Sequence, residues 1–224
     1  MDGSAHLPEE TTSISFTGLR GNMASQTVTV ERRRASFRDE IRLATRAAHE
    51  RVDRLYSVFD LADPQDYRRF LIAHHDVFPQ CEAILDTSGA RRLVPDWTQR
   101  MRAADLATDL TLLGIDPAPV LPASPVGEAA MFGMMYVLEG SRLGGAVLAR
   151  RVLANPDPDC RAATRYLRHG EGLKLWPSFV AAFTASPIVD DHRDAVIASA
   201  LRTFDMFCHA AENPDSRASL KAGL

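Results

Sequence analysis

The stretch Ile-Arg-Leu-Ala-Thr-Arg-Ala-Ala-His-Glu-Arg-Val-Asp, Ile41 to Asp53, decides the fold. Its spacing is helical, because positions three, four and seven apart share one face of an α-helix. Ala48, Val52, Leu55 and Phe59 make an apolar stripe. Arg42, Thr45, Arg46, Val52, Asp53 and Tyr56 lie on the face around His49. His49 therefore stands at the edge of an apolar surface with a cation two turns back. The same period recurs from Ser36 to Glu212, and strand signals are nearly absent. The reading is an all-α, single-domain bundle of about seven helices.

The helices have legible ends. Ser36 with Asp39 has the form of a capping box opening the first, which runs to about Phe59. Asp63-Pro64 supplies an N-cap and a proline at the first helical position of the second, to about Leu85, with Pro79 expected to kink it. Gly89 marks a turn. Pro95-Asp96 precedes a third helix carrying Met101, Leu106, Leu110 and Leu113 and stopping near Gly114. After a proline-rich connector, Pro117 to Pro122, a long helix starts at Ser124-Pro125 and reaches about Leu153. Asp157-Pro158 begins a short helix ending at Gly170. Leu173 to Ala185 forms the sixth, and Pro187 opens the last, to about Glu212. Residues 1–34 are rich in Ser, Thr and Gly without helical period and are expected to be a disordered extension. Within them Thr27 to Val30 alternates like a strand but lacks a partner, and Met23-Ala-Ser reads as an alternative start. The helical domain is expected over 35–213, followed by a polar tail, 214–224.

Composition narrows the class. With 224 residues, 46% apolar and 25% charged, the chain suits one soluble domain with a real core. A net charge of −3 gives no pull toward nucleic acid. Cys81, Cys160 and Cys208 are odd in number and lack any CxxC spacing, which argues against a disulfide framework or zinc site and fits a reducing cytoplasm. No apolar run approaches a membrane span, and no secretory signal is visible.

The second informative segment is Tyr-Val-Leu-Glu-Gly-Ser-Arg-Leu-Gly-Gly, Tyr136 to Gly145. Each glycine inside a helix costs about 0.8–1 kcal/mol relative to alanine. Gly140, Gly144 and Gly145 together cost on the order of 2.5–3 kcal/mol, so something must offset them. Two readings are open: close helix packing, or close approach of a ligand to the backbone. His49 is likewise either a satisfied surface histidine or a metal ligand, since neutral imidazole is a strong iron ligand and one histidine beside an apolar pocket suits haem. Arg42 would lie about 10 Å along the axis, within reach of a propionate. Other chemistries fare worse. Paired Glu-x-x-His motifs for di-iron are missing, and His74-His75-Asp76 points its side chains in different directions. Ser141 has no His/Asp partner or nucleophile elbow, and no Walker or dinucleotide fingerprint occurs.

Taken together, the segments Leu43 to Asp53 and Tyr136 to Leu148 resemble the haem oxygenase family, its bacterial branch in particular. A weaker match is Leu-Trp-Pro-Ser-Phe, Leu175 to Phe179, and Phe204 and Phe207 fit the pattern of the last helix. The resemblance covers about Phe37 to Ala211. It implies an all-α fold with haem between the first helix and the glycine helix. It implies His49 as the axial iron ligand, Gly140 and Gly144 as the thin distal wall, and Arg42 and Lys174 as propionate contacts. Arg46, Thr45, Tyr56, Met135, Leu138, Gly145 and Phe204 complete the expected haem-binding set. Gly140, Ser141 and Gly144 are the expected catalytic group.

The resemblance further implies that haem is both cofactor and substrate, cleaved with O2 to biliverdin, carbon monoxide and ferrous iron. Electrons would come from an external reductase or ferredoxin, and the reaction would serve either to make biliverdin, for which a bacteriophytochrome is the expected acceptor, or to release iron from haem. A distal histidine acting as general acid would favour O–O cleavage and peroxidase chemistry, which a glycine wall avoids. One departure stands out: Ser141 occupies a position where many relatives carry aspartate to order a proton-delivering water. Two other readings stay open, a haem carrier or sensor of the same fold without turnover and a cofactor-free helical interaction module.

Overall fold

The computed structural model describes residues 37–214. The expected capping box at Ser36, the strand-like run and the polar tail beyond Pro214 lie outside them. Every described element is helical: thirteen α-helices and one 3-10 turn, Ala90–Arg92. The seven expected segments are all present, but all except the sixth are broken in two. The first becomes α1 (Phe37–Ala44) and α2 (Arg46–Tyr56), the second α3 (Pro64–His75) and α4 (Phe78–Ser88), the third α5 (Trp97–Arg100) and α6 (Ala103–Leu112). The long fourth becomes α7 (Glu128–Gly140) and α8 (Arg142–Val152), and the fifth α9 (Pro158–Ala162) and α10 (Arg165–Arg168). The sixth is α11 (Leu175–Ala185), and the last divides into α12 (Pro187–Asp191) and α13 (Arg193–Glu212).

Local chemistry explains the boundaries. Asp63 Oδ1 accepts from the backbone N–H groups of Gln65 and Asp66 at 2.8 and 2.9 Å, and Pro64 fills the first helical position. Asp157 caps α9 in the same way through Asp159 N–H. Gly89, with φ +83°, ends α4 in the left-handed region that glycine adopts without cost. At Thr45 the side-chain Oγ1 donates to the Ile41 carbonyl at 2.7 Å, a back-bond that bends helices. Two expectations need correction. Pro79 does not kink a continuous helix; the chain breaks before it, at Asp76–Val77, and Pro79 sits in the first turn of α4, where its missing N–H has no helical partner to lose. The fourth segment begins at Glu128 rather than Pro125, because the proline-rich connector continues to Gly127.

The core is organised around α13, which packs along α7 and also meets α2 and α3. Gly133 makes the α7 contact: a Cβ there would lie 2.2 Å from the Val196 carbonyl oxygen and 2.8 Å from Ser199 Cβ. Helix α13 thus carries the His49 helix and the glycine helix on one support.

Candidate functional site

His49 projects from α2 with its side chain 60% exposed. Its Nδ1 lies 2.9 Å from Asp53 Oδ2, one turn on. In the neutral ring that nitrogen holds the proton, so Nε2 presents its lone pair. Behind the ring stands Phe204 of α13, edge-on at 5.7 Å between centroids and itself buried. Among the described residues Nε2 has no partner. The arrangement is an imidazole fixed in tautomer and backed by an aromatic ring, with one nitrogen facing outward.

The glycines of the second segment separate into two kinds. A Cβ on Gly145 would approach the Leu167 carbonyl oxygen to 2.5 Å, so this glycine is required by the packing of α8 on α10. A Cβ on Gly144 would meet nothing within 4 Å, and one on Gly140 would make only ordinary contact with Trp176 at 3.7 Å. No protein neighbour requires the two latter residues to be glycine. Close helix packing, one of the two readings the sequence left open, therefore does not account for Gly140 and Gly144. Leu143 and Val147, beside Gly144, are 66% and 46% exposed, leaving an apolar surface uncovered.

The structure divides the other expected contacts. Arg42, Arg46 and Lys174 are exposed, with Arg46 in a loose pair with Glu50 at 3.4 Å. Thr45 is not on the open face: it is buried, its hydroxyl bonded to Ile41, with the Tyr136 hydroxyl beside it. Met135 and Leu138 are buried core residues and offer no accessible wall, because α7 turns that face to the interior. Gly145 serves helix packing. Tyr56 points into an aromatic cluster with Phe59, Phe70, His74 and Phe207, and burial pushes its phenol pKa up. Its hydroxyl is buried without a hydrogen-bond partner among the described residues. His74 lies in the same cluster, Nδ1 2.8 Å from the Phe70 carbonyl oxygen, and burial pushes its pKa down to about 3. No group of three or more metal-binding side chains occurs among the described residues.

Sequence reasoning missed a buried ionic network at the α7/α8 break. Glu139, 2% exposed, accepts from Arg100 Nη1 at 2.5 Å and from Arg142 Nη2 at 2.8 Å. Arg100 also reaches the Leu175 carbonyl at 2.8 Å, Ser178 Oγ at 2.7 Å and both Asp96 carboxylate oxygens. Arg142 Nη1 lies 3.2 Å from His169 Nδ1, and burial followed by this cation lowers the His169 pKa. Arg102 bonds Leu138 O and Ser141 Oγ. The signal was present: Glu139 is an acid at the end of the apolar run Met131–Leu138, and such a residue needs a buried cation. The source of that cation, Arg100 some forty positions away, was not readable.

The fold defines an all-helical bundle of the heme oxygenase type. Over 80% of this chain and 92% of that one, it matches the crystal structure of the NO- and CO-bound heme oxygenase from Neisseria meningitidis, with a TM-score of 0.64 at 21% identity. The chain is 35% identical over 155 residues to a heme oxygenase of Xanthomonas campestris pv. campestris (strain 8004), covering 67% of this chain and 92% of that protein. It is 26% identical over 189 residues to the heme oxygenase PigA of Pseudomonas aeruginosa, covering 81% and 94%. No protein-family model matches. The chain belongs to the haem oxygenase family.

Proposed function

We propose that this protein is an active haem oxygenase that opens haem, with O2 and external electrons, to biliverdin, carbon monoxide and ferrous iron. Gly144 carries the reading: a helical glycine whose missing side chain leaves open space that no protein atom uses. His49 Nε2 would hold the iron, with Asp53 fixing the tautomer and Phe204 the ring plane. When bound, haem supplies both the iron that activates O2 and the ring that is cleaved. The chain's residues shape the reaction. Gly140 and Gly144 leave room at the distal face, and the exposed Arg42, Arg46 and Lys174 suit the propionates. The donor would be a reductase or ferredoxin, and a bacteriophytochrome is a candidate biliverdin acceptor. Three buried free cysteines support a reducing cytoplasm, and no described helix is long and apolar enough to cross a membrane.

The test is a hemin titration followed by ascorbate in air with catalase present. A saturable one-to-one Soret band that decays into a broad red biliverdin-like band is expected. A Soret band that persists with both ascorbate and a ferredoxin system would leave a carrier or sensor. No saturable band would remove haem and leave an interaction module.

A further inference from the structure

Arg102 is almost fully buried, at 4% exposure, and comes from the link between α5 and α6. Glu82 grips its backbone, accepting from the N–H groups of Arg102 and Ala103 at 2.8 and 3.1 Å. The guanidinium lies over the rings of Phe78 at 4.3 Å and Tyr166 at 5.0 Å. Its Nη2 donates to the Leu138 carbonyl at 2.7 Å and to Ser141 Oγ. The Ser141 hydroxyl in turn donates to the same carbonyl at 2.7 Å. Among the described residues no carboxylate accepts a hydrogen bond from this guanidinium. Burying such a charge is costly, and the site uses the planar, ring-stacking form of the cation rather than lysine.

These bonds close a triangle at the break between α7 and α8. The proton of Ser141 is committed to Leu138, and a lone pair faces the guanidinium. The Ser141 side chain cannot swing away from this triangle without losing both bonds, one of them charge-assisted, so it acts here as a structural contact of the helix break. We propose that Arg102 is a positioning residue for the distal wall: it locks Ser141 and Leu138 at the helix break and so fixes where Gly140 and Gly144 stand. The proposal rests on the haem oxygenase reading for its effect on turnover, but not for its effect on the break.

The experiment compares wild type, Arg102→Met, Arg102→Lys, Ser141→Ala and the Arg102→Met/Ser141→Ala double variant. It measures amide hydrogen exchange across 140–145 in haem-free protein, the hemin dissociation constant and ascorbate-driven turnover. Losing the charged bond should speed exchange across the break about tenfold or more in Arg102→Met. Turnover should fall by about tenfold, hemin affinity should stay within about threefold, and Arg102→Lys should recover part of the loss. The double variant should lose less than the sum of the two single losses, since both substitutions remove the Arg102–Ser141 contact. Unchanged exchange, additive losses, or loss of hemin binding in step with turnover would overturn the proposal. If Arg102→Met fails to fold, Ser141→Ala tests the contact from its other end, and unchanged protection there overturns it too. Wild type without turnover but with Arg102-dependent exchange would sink the functional reading and keep the hold on the helix break.

Discussion

Two side chains and two missing ones make up the proposed haem site. His49 and Asp53 are both exposed, so neither supports the fold strongly. Substituting Asp53→Ala should change stability by less than about 0.5 kcal/mol while weakening hemin binding roughly 10- to 100-fold, because the imidazole loses the partner that sets its tautomer. Paired denaturant melts and hemin titrations check this, and hemin affinity equal to wild type would refute the orienting role. The glycines make a sharper contrast. Gly144→Ala has space for its methyl group and gains helix propensity, so the haem-free protein should be stabilised by up to about 1 kcal/mol. Gly133→Ala and Gly145→Ala force a Cβ against the carbonyls of Val196 and Leu167 and should destabilise by about 1–3 kcal/mol. Only Gly144→Ala should combine an intact or firmer fold with impaired hemin binding and turnover. Equal destabilisation in all three would mean that the segment serves packing throughout.

At the scale of elements, the break between α7 and α8 is the organising feature. It is held from within by Arg102 and from beside by the Glu139 network, which ties α5, α7, α8 and α11 together. Glu139 is the carboxylate that pairs with Arg142, whereas Arg100 also holds Asp96, so removing Glu139 leaves the largely buried Arg142 uncompensated. Glu139→Met should therefore cost about 3–5 kcal/mol, read as a lowered urea midpoint at unchanged slope. The double substitution Glu139→Met/Arg142→Met should recover part of that loss, because Arg100 still pairs with Asp96 and the stranded cation is gone. A double variant less stable than Glu139→Met would show that the helices need the network itself. The breaks were the least legible part of the chain. Each half of a broken segment keeps its own helical period, so periodicity runs through Thr45 and Ser141 without marking either.

Across the whole molecule, the buried cluster around His74 predicts how stability varies with pH. The folded pKa, about 3, lies below the unfolded value of 6.5, so the unfolded chain binds the extra proton between them. Stability contributed by the neutral ring is present above about pH 6.5 and falls by about 1.4 kcal/mol per pH unit below it. Asp109, raised to about 6 by burial, acts in the opposite sense between its unfolded value and that pH. The clean measurement is wild-type stability minus that of His74→Gln from pH 7 to pH 4, in which Asp109 cancels; a difference independent of pH would refute the buried neutral histidine. The sequence by itself determined the all-helical class, the caps at Asp63 and Asp157, the turn at Gly89, and His49 with the glycine segment as the place to look. Those are local matters, written in spacing and backbone preference. Only the tertiary structure decided that Gly145 serves α10 while Gly144 faces open space, that Thr45, Met135 and Leu138 turn inward, and that Arg100 and Arg102, from the end of α5 and the link after it, close the break. Which atoms face a given residue depends on how distant segments pack, and adjacent glycines look alike until their neighbours are in place.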